Sequence, residues 1–125
     1  MPKAIAGIVY FKIDGTLYNV RGNVKYATGD RERETITGLD GVHGYKEMPT
    51  APFIECDISD NGSLDLKKLQ DFTESTVTLE LASGKQVILR DGWLVTRPEM
   101  DGSEGQATIR FEGMSAEEVT VNAGA

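Results

Sequence analysis

A hydrophobic period of two runs through most of this chain, and one dipeptide pins it near the start. In "IVYFKIDGTLYNVRGNVKY" the pair Asp14-Gly15 lies between two alternating runs. This is a strong hairpin signal, because both central residues of the favoured two-residue turn need positive φ. Strands are expected near 5–13 and 16–27. In the second, Tyr18, Val20, Val24 and Tyr26 fall on one face and Asn19, Arg21, Asn23 and Lys25 on the other, so one side is buried and one is wet. A strand over 51–59 sets Ile54, Cys56 and Ile58 against Phe53, Glu55 and Asp57. "TVTLELA" turns Val77, Leu79 and Leu81 inward, "QVILRDGWLVTR" is apolar on both faces, and "GQATIRFEG" sets Ala107, Ile109 and Phe111 inward. A short strand is expected at 118–122.

Two segments depart from that pattern. "RERETIT", residues 31–37, alternates but is polar on both sides, so hydrophobic burial cannot set its register. Cross-strand charge pairs, a neighbouring subunit or simple service as a solvated edge are the readings open to it. Residues 38–52 hold three glycines and two prolines and show no alternation, which reads as a loop of unusual length for a compact domain. One helix is expected over 64–72, with Ser63 as N-cap and Leu66, Leu69 and Phe72 as a narrow apolar stripe. The sum is about eight strands and one short flanking helix, an antiparallel β-sandwich or barrel in a single domain over 1–125.

Composition narrows the function. Thirteen basic against twenty acidic side chains give a formal charge of −7, the wrong sign for holding nucleic acid or an anionic membrane, though not for repelling DNA. The apolar run at the N-terminus ends at Lys12 and Asp14, and no stretch approaches the roughly twenty apolar residues of a spanning helix. A soluble protein with no membrane partner is expected. The single cysteine, Cys56, has no disulfide partner and sits on an apolar face, so it is read as core and not as a nucleophile.

Catalytic chemistry finds little footing. His43 is the only histidine, with Asp40 and Glu47 as its nearest candidate orienting carboxylates and no partner nucleophile nearby. One histidine and one cysteine do not make a structural zinc site, and Asp60, Asn61 and Asp65 lack calcium-loop spacing. No catalytic residue, metal or cofactor is expected. Trp93 reads as core, or as the anchor of a pocket in a monomeric ligand-binding or adaptor β-domain. "VHGYK" places Val42, His43 and Tyr45 among glycines, a mixture that suits contact with another protein.

These segments together resemble the tail tube proteins of Mu-like phages with contractile tails. The resemblance rests on "MPKAIAGIVYFKIDG", on "ERETITGLDGVHGYKE" followed by "PTAPFIECDISD", on "LDLKKLQDFTESTVTLELASGK" and on "RFEGMSAEEV", in collinear order over most of the chain. It implies a β-sandwich subunit that is not an enzyme and forms sixfold rings stacked into a hollow tube. A contractile sheath would enclose the tube, and DNA would pass through it only in transit. Further implied partners are the tape-measure, baseplate and tail terminator proteins, in a virion tail assembled in the bacterial cytoplasm. The tube of a secretion system or bacteriocin would share the architecture. Carried over to this chain, residues 38–52 become an element reaching adjacent subunits and rings, with Asp40, Val42, His43, Tyr45, Lys46 and Glu47 as contacts. The strand with Arg31, Glu32, Arg33 and Glu34 lies between subunits, and Glu32, Glu34, Glu80 and Glu112 are candidates for an acidic lumen.

Overall fold

The structure is a computed structural model and describes residues 8–60, 62 and 64–120. Strand β1 (Ile8–Ile13) turns into β2 (Thr16–Tyr18), and β3 (Val20–Ala27) follows. Next come β4 (Arg31–Gly38), β5 (Gly41–Pro49) and β6 (Phe53–Ser59), then α1 (Leu66–Gln70). The chain ends with β7 (Ser75–Leu81), β8 (Lys85–Leu94), β9 (Met100–Asp101), β10 (Gln106–Glu112) and β11 (Ser115–Thr120). All the pairings are antiparallel.

The expected first turn is present: Asp14 and Gly15 take φ of 50° and 84°, and Ile13 lies opposite Thr16. The turn is tied to β7, since Asp14 N–H donates to the Thr76 carbonyl and Thr76 N–H donates to Asp14 Oδ1, each at 2.9 Å. One sheet runs β2-β1-β7-β8 with β11 on β8, and the other carries β10, β6 and β3 with β9 on β10. Strand β8 belongs to both. It pairs with β11 through Lys85–Arg90 and with β10 through Trp93 and Leu94, and the change of partner falls at Asp91, whose φ is 52°. Two glycines permit the corner: a Cβ on Gly92 would lie 3.3 Å from the Ser75 carbonyl oxygen, and one on Gly113 would lie 2.8 Å from that of Arg90.

The inward faces close on Phe11, Ile13, Ile54, Ile58, Leu79, Leu89, Ile109 and Phe111, each 0–1% exposed. Cys56 is buried among them, as its alternation requires. Burial, then the Asp57 and Glu55 charges, push its thiol up to about 12. This thiol stays protonated and inert. The helix packs its stripe as expected: Leu69 is buried, and Leu66 and Phe72 rest on the core.

Four sequence expectations change. The helix is shorter than 64–72, because the Asp65 carboxylate caps it by accepting from Lys67 and Lys68 N–H; Ser63 lies outside the described residues. The segment 16–27 breaks at Asn19, whose carbonyl accepts from Ser59 N–H at 2.7 Å. The last strand is Ser115–Thr120, with 121 and 122 outside the described residues. The largest change concerns 38–52, which is no loop. Gly41–Pro49 is the strand β5, paired with β4 along its length. With that strand, the break at Asn19 and the two-residue β9, eight strands become eleven.

Candidate functional site

The β4–β5 hairpin forms a two-stranded sheet of its own. Every residue of β4 is exposed, as is every residue of β5 except Gly44. The chain enters and leaves at a base closed by Thr50 N–H donating to the Asp30 carbonyl at 2.9 Å. Register runs from Arg31 opposite Pro49 to Gly38 opposite Gly41, with one bulge at His43 between the Ile36 and Thr37 pairings. Only Leu39 and Asp40 remain as connection.

Directly opposed residues share a face, so the register sorts the expected contact residues into two sets. One face carries Arg31, Arg33, Tyr45 and Glu47. Here Glu47 receives Arg33 at 3.1 Å and Arg31 at 3.6 Å, and the Arg33 guanidinium stands 5.2 Å from the Tyr45 ring centroid. The other face carries Glu32, Glu34, Ile36, Lys46 and Met48, with Lys46 on Glu34 at 3.3 Å. These cross-strand ion pairs fix the register that hydrophobic burial could not. They are solvated, however, and each contributes only about 0.2–1 kcal/mol. An isolated two-stranded hairpin is marginal in water.

The tip has its own lock. His43 Nε2 lies 2.5 Å from Asp40 Oδ1, and the imidazole packs where a Gly38 side chain would begin, its Cε1 2.5 Å from an ideal Cβ. Glu47, the other candidate orienting carboxylate, is engaged by Arg33 instead. The tip holds Leu39 fully exposed and Val42 73% exposed, and Tyr45 is 59% exposed further down. Leu39 was not among the residues singled out from sequence; an apolar residue between glycine and aspartate at the centre of a glycine-rich stretch was the available signal.

The four candidate lumen carboxylates fall in three places. Glu32 and Glu34 are on the hairpin. Glu80 lies on the outer face of the first sheet and accepts from Gln86 at 3.1 Å. Glu112 lies on the outer face of the second, 3.0 Å from Arg110, which also reaches Glu55 at 3.4 Å and stacks 3.8 Å from the Phe53 ring centroid. Beside them Asp57, only 5% exposed, accepts from Asn23 at 2.6 Å and from the Thr108 hydroxyl. Glu80 and Glu112 therefore point away from the sandwich on opposite sides. The two outer faces also differ in polarity. Exposed Tyr10, Leu17 and Val119 lie on the first, while the outward side chains of β3, β6 and β10 are polar apart from Phe53 and Ala27.

Half-buried Trp93 pairs with Glu112 across β8 and β10. A surface cavity of about 280 Å³ is lined by Thr96, Arg97, Glu99, Met100, Asp101, Gln106 and Thr108, without Trp93. Among the described residues no helix is long and apolar enough to cross a membrane.

A family model described as phage tail tube protein matches residues 2–118. The chain is 24% identical over 119 residues to the Mu-like prophage FluMu tail tube protein of Haemophilus influenzae, covering 95% of this chain and 99% of that one. It is 26% identical over 98 residues to the tail tube protein of Escherichia phage Mu, covering 78% and 82% respectively. Among solved structures, Hcp1 from Flavobacterium johnsoniae shares the fold with a TM-score of 0.63 at 17% identity, over 91% of this chain and 96% of that one.

Proposed function

Because this chain belongs to the phage tail tube protein family, we propose that it is the repeating subunit of a hollow tail tube, built as sixfold rings stacked along one axis. The observation that carries this reading is the hairpin: about nine residues at 3.4 Å each give a ribbon of roughly 30 Å with almost no contact to its own body. A ribbon held by solvated ion pairs and showing apolar side chains on both faces gains its stability by being covered. Asp40, Val42, His43, Tyr45, Lys46 and Glu47 then contact the adjacent subunit or ring, and Arg31, Glu32, Arg33 and Glu34 form the strand between subunits.

The wall that DNA passes should be polar, anionic and without adhesive apolar groups. The outer face of β3, β6 and β10 is the more polar of the two, with Glu55, Asp57 and Glu112 balanced by Arg21, Lys25 and Arg110 and with Phe53 covered by the Arg110 guanidinium. On that polarity Glu112 goes to the lumen, and the repulsion comes from the charge of the whole subunit. Glu80, on the opposite face with Tyr10 and Leu17, belongs to the side that meets protein. An overall charge of −7 per subunit, repeated along a tube, repels the phosphate backbone and prevents it from adhering to any one ring. The sheath encloses the tube, the tape-measure protein sets its length, and the baseplate and terminator proteins close its ends, in a virion tail assembled in the host cytoplasm.

Electron microscopy of the purified protein over a range of concentrations tests this. Rings or tubes with an open centre are expected. Particles that stay monomeric at every concentration would contradict it.

A further inference from the structure

Within each subunit two exposed surfaces have left a charge of opposite sign unmatched, each beside apolar groups. On the hairpin, Glu47 satisfies both arginines of its face and Lys46 satisfies Glu34. Among the described residues this leaves Glu32 with no cation within 4.0 Å, on the face that exposes Ile36 (43%) and Met48 (40%). On the outer face of the first sheet, where β1 meets the edge strand β2, Lys12 stands 5.5 Å from the Tyr10 ring centroid and directly opposite Leu17. Tyr10 is 45% and Leu17 51% exposed, and among the described residues Lys12 has no carboxylate within 4.0 Å.

Resting on the tube reading above, we propose that the Glu32–Ile36–Met48 face of one subunit's hairpin seats on the Tyr10–Lys12–Leu17 patch of a second copy, with Glu32 meeting Lys12. One surface is acidic and apolar, the other basic and apolar, and complementarity of this kind fixes register and partner more than it adds affinity. The contact is not made within one chain, because both surfaces are exposed in the subunit. A second copy is the occupant because the contact is heterologous. Each subunit that accepts a hairpin still extends its own, so the joint repeats without closing on a pair, as a stacked assembly requires.

The test mixes two single variants, Met48→Cys and Leu17→Cys, under assembling conditions with mild oxidation; native Cys56 is buried and serves as the unreactive control. Disulfide-linked dimers are expected in the mixture and not in either variant alone. In parallel, Glu32→Lys and Lys12→Glu should each raise the concentration needed for assembly at least tenfold, and the chain carrying both should recover most of that loss. Tubes that form without the cross-link, or charge reversals without effect on assembly, would overturn this joint and leave the tube reading standing. A parent protein that never assembles would overturn both.

Discussion

The sandwich and the hairpin are both antiparallel β-structure, yet what fixes them differs. Strands β6 and β10 bury every second side chain, and Ile54, Ile58, Ile109 and Phe111 lie at 0–1% exposure. Strands β4 and β5 bury none. In the sandwich a one-residue slip would turn a whole apolar row to water, whereas in the hairpin register rests on Arg33–Glu47 and Glu34–Lys46 across the ladder. The subunit thus divides into a part that buries a core of its own and an exposed two-stranded part that is marginal alone in water.

The strongest way to break that division is to cut into the core. Phe111→Ala removes a fully buried ring that packs 6.3 Å from Phe72, and should cost about 3–5 kcal/mol in urea unfolding. Leu69→Ala, which loosens the helix from the core, should cost about 2–5 kcal/mol.

Alkali probes the same core more gently. The Cys56 thiol ordinarily titrates at 9.0 and is raised to about 12 in the fold. Its contribution is therefore fully present below pH 9 and is lost as the pH rises towards 12. By pH 11 the parent should have lost about 2–3 kcal/mol more than Cys56→Ala over the same range, read from urea melts at pH 8 and pH 11. Equal losses in the two proteins would show that the thiol is not sealed in.

One substitution, made twice, sharpens the comparison. Gly113→Ala drives a methyl to 2.8 Å from the Arg90 backbone oxygen, where nothing can swing aside, and should cost about 1–3 kcal/mol. Gly38→Ala meets a closer atom, 2.5 Å away, but it belongs to the exposed His43 ring. The ring can turn out to water, so stability should change by less than about 0.5 kcal/mol, while the Asp40–His43 lock opens. Smallest in stability are Tyr45→Ala and Val42→Asp, each within about 0.5 kcal/mol of the parent in dilute unfolding. Both should nonetheless block assembly, scored by sedimentation.

The sandwich was legible in the sequence because burial writes itself as alternation: Asp14-Gly15, the Ile54–Cys56–Ile58 face and the Ala107–Ile109–Phe111 face all stand where the period of two puts them. Strand β5 was not legible for the same reason. With no face against the core, Gly41–Pro49 shows no apolar alternation, and its two glycines and closing proline read as a loop. Its partner β4 offered the missing hint, since Arg33 and Glu34 each require an opposite charge across a ladder, and Glu47 and Lys46 lie in mirror order. The corner at Gly92 and Gly113 was also hidden, because nothing in a local window shows that β8 will change sheets. The candidate lumen carboxylates could not be separated from sequence, since alternation places Glu80 and Glu112 on outer faces without saying that these faces are opposite.

Hydrogen exchange along residues 31–49, compared between dilute subunit and assembled protein, tests the central claim most directly. Hairpin amides should exchange fast in the dilute subunit while β6, β8 and β10 are protected, and should slow at least a hundredfold on assembly. Hairpin amides already protected in dilute subunit, or still fast in the assembled state, would contradict a ribbon completed by another copy of its own chain.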